Sequence, residues 1–261
     1  MAEVVFVDSE AAAGTLAAAS IRALITRKPD AVLGLATGST PLSVYAALAA
    51  SLAENPMDVS RVRGFALDEY VGLPADHPES YRSVITRDAV VPIGLTPENI
   101  QVPNGDLATI ETAGVDYEAA IRAAGGIDVQ ILGIGRTGHV GFNEPGSSFA
   151  SITRIKTLAE KTRVDNARFF ASPDDVPIHC MTQGLGTIQR ARHLILLAFG
   201  EEKADAIAAA VEGPITSSKP GSVIQLHPHV TVIVDEAAAS RLENLAYYRY
   251  AWANKYAWQG I

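Results

Sequence analysis

Residues 129–146, which read VQILGIGRTGHVGFNEPG, decide the fold predicted for this chain. Apart from Gln130, the first four residues are apolar, and the fourteen that follow contain five glycines and one proline. Glycine and proline both disfavour a helix interior, so we predict a buried strand followed by a loop. Open α/β sheets place their ligands at loops that leave the carboxyl ends of strands. This stretch therefore predicts both an α/β fold and a site in its loop.

The same loop carries a motif that does not fit its surroundings. The glycines of residues 133–138 match G-x-G-x-x-G, the fingerprint of dinucleotide-binding proteins. That fingerprint requires a helix to begin within it, whereas here the segment 142–146, FNEPG, follows. The match gives little support for a nucleotide site. The feature to be explained is the presence of His139 and Glu144 in one glycine-rich loop.

Strand-like apolar runs alternate with alanine-rich helical runs on both sides of this loop. Strands are predicted at 4–7, 31–36, 61–67, 127–132, 192–199 and 230–234, and helices at 10–26, 41–53, 109–124, 201–211 and 237–258. Such alternation predicts a doubly wound, mostly parallel sheet with helices on both faces. No repeat, low-complexity tract or linker divides the chain, so residues 1–261 are predicted to form a single domain.

The segment 150–177 departs from this alternation. It is more polar than the rest of the chain and has weak periodicity. Two interpretations fit it equally well, namely a mobile lid over a site and a long surface connection.

Composition limits the classes of function. The net charge of −8 argues against general binding to nucleic acids or anionic membranes, although a local positive pocket can still hold an anionic small molecule. No apolar run reaches the length of a membrane span, and residues 1–10 lack the layout of a signal peptide. The single cysteine, Cys180, rules out an intrachain disulfide and fits a reducing compartment. We therefore expect a cytoplasmic protein that acts on a small molecule.

A candidate phosphate site lies at residues 37–41, TGSTP, between a predicted strand and a predicted helix. Gly38 allows the backbone to approach a ligand, the hydroxyls of Ser39 and Thr40 can donate hydrogen bonds, and a helix N-terminus favours an anion. The alternative is an ordinary helix cap. The segment is not a Walker loop, because no G-K-[ST] follows. Cationic partners would come from elsewhere in the chain, and the two candidates are Arg168 and Lys203.

Carboxylates and an imidazole supply candidates for acid–base chemistry. Asp68 and Glu69 end the third predicted strand, and since neighbours in a strand point to opposite faces, only one of them is expected to face a site. An aspartate there could be a general base, or a turn residue that caps the next element. His139 with a carboxylate partner such as Glu144 fits an acid–base pair. The histidines show neither HExxH nor Cys/His spacing, so no metal site is predicted.

The chain resembles the glucosamine-6-phosphate deaminase family at a series of motifs that follow the family's order. They are TGSTP at 37–41, LDEYVGL at 67–73, HPESY at 77–81, GHVGFNEPGSSF at 138–149, TRIKTL at 153–158, ARFF at 167–170, AVEGPI at 210–215 and QLHP at 225–228. The related 6-phosphogluconolactonases share the fold but typically carry Asp-Glu-Arg and a GHTASLFPG-like loop. This chain has DEY at 68–70 and GHVGFNEPG at 138–146, which favours the deaminase.

The resemblance implies a doubly wound α/β fold and the conversion of glucosamine 6-phosphate and water to fructose 6-phosphate and ammonium, with no cofactor and no metal. Asp68 resembles the general base that moves a proton between C2 and C1 of the open-chain sugar. His139 resembles the group that protonates the ring oxygen during ring opening, and Glu144 resembles its carboxylate partner. The residues implied to hold the substrate phosphate are Gly38, Ser39, Thr40, Arg168 and Lys203.

One position departs from the family pattern. Many members have an aspartate two residues before the loop histidine, whereas this chain has Thr137. A hydroxyl can support the imidazole by a hydrogen bond but carries no charge, so we expect His139 to rely on Glu144 alone for electrostatic support. A non-catalytic sugar-phosphate-binding regulator is a third interpretation, with Thr137 as the mark of lost activity. The joint presence of Asp68, His139 and Glu144 argues against it.

The resemblance also raises the question of regulation. Some members are homo-oligomers activated by N-acetylglucosamine 6-phosphate at a subunit interface, and Ser148, Arg154 and Lys156 fall where residues of that site lie. Because the N-terminal MAEVV and the C-terminal segment 247–261 depart from the family pattern, we expect weak or absent activation.

Overall fold

A seven-stranded parallel sheet forms the centre of the computed structural model, which describes residues 2–261. The strands of the chain are β1 (Glu3–Phe6), β2 (Val32–Leu35), β3 (Arg63–Ala66), β4 (Asp68–Tyr70), β5 (Ile100–Gln101), β6 (Val129–Gly133), β7 (Arg154–Thr157), β8 (His179–Thr182), β9 (His193–Ala198) and β10 (Val230–Val234). The large sheet has the order β1-β10-β9-β6-β2-β3-β5 with every neighbouring pair parallel. Because β1 pairs with β10, one sheet unites the chain, and the predicted single-domain α/β fold is confirmed.

The order of the strands reverses between β2 and β6. From β2 the chain proceeds outward through β3 to β5, whereas from β6 it proceeds the other way through β9 to β10. The loops that follow two strands at such a reversal diverge, and the crevice between them is where doubly wound sheets bind ligands. The two loops here are residues 36–41 after β2 and residues 134–146 after β6.

Helices cover both faces of the large sheet. Successive residues of a strand point to opposite faces, and every residue of β9 and β10 is buried. The helices are α1 (Glu10–Arg27), α2 (Leu42–Glu54), α3 (Tyr81–Ile85), α4 (Val91–Ile93), α5 (Ile110–Ala123), α6 (Glu160–Asn166), α7 (Leu185–Gln189), α8 (Ala204–Val211) and α9 (Leu245–Ala253). A π-helical turn at Thr86–Val90 joins α3 to α4, and 3-10 turns lie at Pro97–Asn99, Ala167–Phe169, Pro173–Asp175, Glu201–Lys203, Pro220–Leu226 and Ala257–Gln259. Within residues 2–261, no helix has both the length and the apolar composition needed to cross a membrane.

Close packing of α1 on α2 fixes the position of the loop that precedes α2. Ser9 caps α1, because its side chain accepts a hydrogen bond from the N–H of Ala12 at 3.1 Å. Further along α1, a Cβ atom at Gly14 would lie 2.2 Å from the carbonyl oxygen of Ser43, so only glycine allows the two helices to approach this closely. The amino end of α2 is therefore held against α1, and residues 36–41 are held with it.

A second, three-stranded antiparallel sheet has the order β4-β8-β7 and was not predicted. The sequence placed Asp68 and Glu69 at the end of the third strand, but that strand, β3, ends at Ala66. At Leu67 the chain passes from one sheet to the other. The N–H of Leu67 donates a hydrogen bond to the carbonyl of Leu35, at the end of β2, at 2.9 Å. The carbonyl of Leu67 accepts a hydrogen bond from the N–H of Gln183, just after β8, at 2.7 Å. Asp68 and Glu69 consequently belong to β4.

The segment 150–177 is folded. It contains β7 of the second sheet, α6 and two 3-10 turns, and residues 162–170 include several that line the cavity described below. An unstructured surface connection is therefore excluded, and a mobile lid stays a prediction.

The helix predicted at 237–258 is wrong over much of its length, because α9 covers only Leu245–Ala253. Two carboxylates hold the preceding residues in turns. Asp235 accepts a hydrogen bond from the N–H of Ala238 at 2.7 Å, and Glu212 accepts from the N–H groups of Glu243 and Asn244 at 2.7 and 3.0 Å. Side-chain acceptors compete with the helical carbonyls for these N–H groups.

A pair of stacked histidines lies at the amino-terminal end of β9. The ring centroids of His193 and His229 are 3.7 Å apart, with an interplanar angle of 3°. Nε2 of His193 is 2.9 Å from Oγ1 of Thr231. Burial, together with the neighbouring imidazoles of His229 and His227, lowers the pKa of His193 to about 3. This side chain is therefore neutral in the folded protein at neutral and mildly acidic pH.

This pKa predicts a loss of stability on acidification. The unfolded chain binds a proton at His193 below about pH 6.5, whereas the folded protein does not. The contribution of His193 to the free energy of unfolding is therefore fully present above that pH and is lost progressively as the pH falls below it. Between pH 7 and pH 5, His193 alone should lower the free energy of unfolding by about 2 kcal/mol. Denaturant unfolding at both pH values should show a smaller loss for His193→Gln than for the wild type. The exposed His179→Gln serves as the control, and an equal loss in all three proteins would contradict the prediction.

Candidate active site

A cavity of about 630 Å³ opens at the reversal point between β2 and β6. Both diverging loops line it, as do the start of β4, one face of α6 and the turn before α8. The predicted site residues that line this cavity are Gly38, Ser39, Thr40, Asp68, His139, Arg168 and Lys203. The structure therefore brings together seven residues from five separate parts of the sequence.

One end of the cavity is formed by residues 36–41. Gly38 has a φ of +91°, a left-handed conformation that favours glycine, and no atom lies within 4 Å of a Cβ added there. The hydroxyl of Tyr45 holds the base of the loop, accepting from the N–H of Ala36 at 3.0 Å and donating to its carbonyl at 2.8 Å. No acidic residue lies in the first turn of α2. The loop thus presents Ser39, Thr40 and a helix N-terminus, a setting that favours an anion.

The two side chains predicted as cationic partners for a phosphate, Arg168 and Lys203, line the same cavity. The guanidinium of Arg168 lies 4.7 Å from the ring centroid of Phe169, and Nζ of Lys203 lies 3.7 Å from a carboxylate oxygen of Glu202. Burial lowers the pKa of Lys203, and the charges of Arg136 and Arg168 lower it further against the opposing effect of Glu202. A bound anion would relieve the repulsion among these cations.

Asp68 is buried at the start of β4 and lines the cavity. Burial, followed by the charge of Glu69, raises the pKa of Asp68 to about 8, although hydrogen bonds from Phe142 and Thr182 act in the opposite direction. Its carboxyl group is therefore largely protonated at neutral pH in the free protein.

Glu69 points away from the cavity, as the alternation of side chains along a strand predicts. Its carboxylate accepts hydrogen bonds from the N–H groups of Tyr81 and Arg82, at 2.8 and 3.0 Å, at the start of α3. Glu69 thereby caps a helix, while its neighbour faces the ligand space.

The loop after β6 places an imidazole at the cavity. The N–H of Gly138 donates to the carbonyl of Gly135 at 2.8 Å, and that of Gly135 donates to the carbonyl of His139 at 2.9 Å. A Cβ at Gly135 would lie 2.1 Å from Nε2 of His139, so the glycine leaves room for the ring. The Nδ1 atom of His139 lies 2.8 Å from Oγ1 of Thr137 and 3.4 Å from Oε2 of Glu144. Since Nδ1 is engaged by these groups, Nε2 is the nitrogen left for a ligand.

Glu144 lies behind His139 and does not line the cavity. Its Oε1 accepts hydrogen bonds from the hydroxyl of Thr162 and, at 3.4 Å, from the N–H of Ala159, both at the start of α6. Among residues 2–261, no group makes a close hydrogen bond with its Oε2, which faces the imidazole. Burial raises the pKa of Glu144, but the proximity and charge of His139 and the hydrogen bond from Thr162 outweigh it, so the pKa lies below its usual value. Glu144 is an ionised partner for the imidazole that also contacts α6.

The residues predicted to bind an activator lie outside the cavity. Arg154, in β7, donates from Nη1 to Oδ1 of Asn143 at 2.7 Å, next to Glu144 in the chain. Lys156 lies two residues further along β7, and Ser148 is exposed. Their role in regulation stays a prediction.

Sequence reasoning missed the side chains that α6 and its neighbours add to the cavity. Thr162, Asp165 and Asn166 line it from one face of α6. Their i, i+3, i+4 spacing would have placed them together had this polar helix been predicted. Aromatic residues also contribute, and Tyr70 accepts a hydrogen bond from Asn166 at 2.9 Å, which links β4 to α6. Within residues 2–261, no cluster of three or more histidine, cysteine, aspartate or glutamate side chains is arranged to hold a metal ion.

Comparison with known proteins places this arrangement among sugar-phosphate enzymes. Residues 8–233 match the sequence profile of the family described as glucosamine-6-phosphate isomerases/6-phosphogluconolactonase. The chain is 59% identical over 270 residues to the glucosamine-6-phosphate deaminase of Bifidobacterium longum (strain DJO10A), with 100% of both chains covered. It is 58% identical over 259 residues to that of Pseudarthrobacter chlorophenolicus, with 99% of this chain and 100% of the other covered.

Solved structures give the same result. A structure described as a monomeric glucosamine-6-phosphate deaminase superposes with a TM-score of 0.89 at 39% identity, over 92% of this chain and 99% of the other. The 6-phosphogluconolactonase of Trypanosoma brucei reaches a TM-score of 0.72 at 18% identity, over 93% and 99% of the two chains, a likeness in fold alone. The chain therefore belongs to the glucosamine-6-phosphate isomerase/6-phosphogluconolactonase family.

Proposed function

We propose that this protein is a glucosamine-6-phosphate deaminase, which converts glucosamine 6-phosphate and water to fructose 6-phosphate and ammonium. The observation that carries the proposal is the layout of the cavity: the loop 37–41, with its hydroxyls and a helix N-terminus, lies in one cavity with a buried carboxyl group, Asp68, and an imidazole, His139. Relatives that are 58–59% identical, with both chains covered in full, and that bear this name support it.

The proposed chemistry assigns one task to each group. With the substrate phosphate held by the loop 37–41, Arg168 and Lys203, the sugar ring extends toward the acid–base groups. His139 donates a proton to the ring oxygen through Nε2 while the hydroxyl at C1 releases its proton to water, which opens the ring and yields an aldehyde at C1. Asp68 then removes the proton from C2 and returns it to C1, while the aldehyde oxygen takes up a proton and the amino nitrogen gives one up, which leaves a hydroxyl at C1 and an imine at C2.

The last step removes nitrogen. Water adds to the imine carbon, ammonia leaves, and a ketone remains at C2. Each step is a proton transfer or the addition or loss of water or ammonia, so the reaction is hydrolytic and requires neither a redox cofactor nor a metal ion. A phosphorylated amino sugar is an intracellular metabolite, and on that basis we place the activity in the cytoplasm and in the breakdown of amino sugars such as N-acetylglucosamine.

Analysis of the reaction products tests the activity itself. Incubation with glucosamine 6-phosphate should release ammonium and fructose 6-phosphate in equal amounts. Asp68→Asn keeps the shape of the side chain but cannot accept the proton, so kcat should fall by about 10² or more while substrate still binds. Asp58→Asn, at an exposed turn, is the matched control.

Three results would contradict the proposal. Binding of substrate without turnover would favour a non-catalytic sugar-phosphate-binding regulator. Hydrolysis of 6-phosphogluconolactone in place of deamination would favour a lactone hydrolase. An Asp68→Asn variant that retains most of its kcat would refute the assignment of the base.

The pKa of Asp68 predicts the pH dependence. A general base acts in its ionised form, and this carboxyl group has a pKa of about 8 in the free protein, so kcat/KM should rise with pH up to about that value and then level off. Because substrate groups also titrate, the direct measurement is infrared difference spectroscopy of the free wild-type protein against Asp68→Asn. The protonated carboxyl band should disappear as the pH rises through 8, and its disappearance near pH 4 would contradict the prediction.

A comparison of Glu144→Gln with Thr137→Val tests which neighbour supports His139. Glu144 supplies a charge and Thr137 only a hydroxyl, so Glu144→Gln should lower kcat by about 10² or more and Thr137→Val by about tenfold or less. Steady-state kinetics gives both values, and thermal unfolding checks that each variant is folded. A larger loss for Thr137→Val would reverse the assignment.

A further inference from the structure

We propose that Arg136 is a further binding residue for the substrate phosphate, and that it exchanges Asp165 for the phosphate when the substrate enters. The inference rests on the proposed function, since it requires a sugar phosphate in the cavity. It extends the predicted phosphate site by a residue of the loop after β6.

Arg136 emerges beside the anion-binding loop. The strands β2 and β6 are hydrogen-bonded neighbours, with Leu33 opposite Val129, so the loops that follow them start side by side. A Cβ at Gly133 would lie 3.9 Å from the side chain of Thr40, which brings the two loops into contact three residues before Arg136. Arg136 lines the cavity together with Thr40, Arg168 and Lys203.

Three cationic side chains line the cavity near the loop 37–41, which is more positive charge than a neutral ligand requires. Arg136, Arg168 and Lys203 lie near enough for the two guanidinium charges to disfavour the charged form of Lys203. Two carboxylates, Asp165 and Glu202, compensate part of this charge in the free protein. A phosphate dianion at the cavity could be compensated by all three cations at once.

The partner of Arg136 is one that a phosphate can replace. Its guanidinium meets Asp165 through two nitrogens, Nη2 at Oδ1 and Nε at Oδ2, the latter at 3.3 Å. This fork of parallel donors suits a phosphate as well as a carboxylate. The two side chains are 41% and 36% exposed, and such exposed ion pairs contribute little to stability. A dianion can therefore displace the single charge of Asp165 at little cost to the fold.

The ion pair between Arg136 and Asp165 also admits a purely structural role. The pair joins the loop after β6 to α6, so Arg136 could serve only to hold α6 in place. Two variants separate these roles. Arg136→Met and Asp165→Asn both break the pair. If the pair were only a structural contact, both variants would change the affinity for phosphate in the same direction. If Arg136 binds phosphate, Arg136→Met weakens phosphate binding because it removes the cation. Asp165→Asn then strengthens it, because it removes the competing anion.

The experiment measures the binding of inorganic phosphate by calorimetry and the KM for glucosamine 6-phosphate. Arg136→Met should raise the Kd for phosphate and the KM by about tenfold or more, with kcat nearly unchanged, as expected for a contact made equally with substrate and transition state. Asp165→Asn should lower the Kd for phosphate. Arg122→Met, which removes an exposed arginine of α5, is the matched control and should change neither value.

The outcomes keep the two proposals distinct. Equal weakening by Arg136→Met and Asp165→Asn, or an unchanged Kd in Arg136→Met, would overturn the role of Arg136 while turnover by the wild type upholds the deaminase. Opposite effects on phosphate binding without turnover would support Arg136 and overturn the deaminase. A wild-type protein that neither binds phosphate nor turns over the substrate would overturn both.

Discussion

The main chain at Leu67 is the connection on which the site depends. Its N–H belongs to the large sheet and its carbonyl to the second sheet, through bonds of 2.9 and 2.7 Å. The next residue, Asp68, is consequently fixed where the two sheets meet, buried and facing the cavity. The high pKa of its carboxyl group follows from that burial. A buried carboxyl group with a raised pKa at the cavity thus results from a main-chain junction, before any ligand is considered.

The sequence predicted those parts of the fold whose signals are local. Apolar runs and glycine-rich turns identify β2, β6 and the loops after them, because burial and backbone freedom depend on a few adjacent residues. The second sheet was missed because its strands pair across long stretches of chain, and β7 alternates half-buried with exposed residues. The helix α6 lacks an apolar stripe, since it places Thr162 and Asp165 in the cavity, so periodicity could not reveal it.

The sequence indicated the candidate site residues and the pairing of His139 with Glu144, but not the geometry of their contacts. The motifs named Asp68 and His139, which line one cavity, but only the structure gives the 2.8 Å contact of Thr137 with Nδ1 and the longer contact of Glu144. It also gives Glu144 a second neighbour, Thr162 of α6. The carboxylate beside the imidazole is therefore held in turn by α6, which lines the cavity. The contact of Glu144 with Thr162 depends on how α6 docks against the loop after β6, which no local pattern encodes.

The pairing of β1 with β10 has a consequence for synthesis on the ribosome. The strand β1 is made first, but it lies at the edge of the sheet and its only strand partner within residues 2–261 is β10, which is made last. The pairs among β2, β3 and β6 form from the first part of the chain and can assemble earlier. The strand β1 therefore stays without its strand partner until Val230–Val234 have been made, and a chain released before residue 230 leaves β1 unpaired.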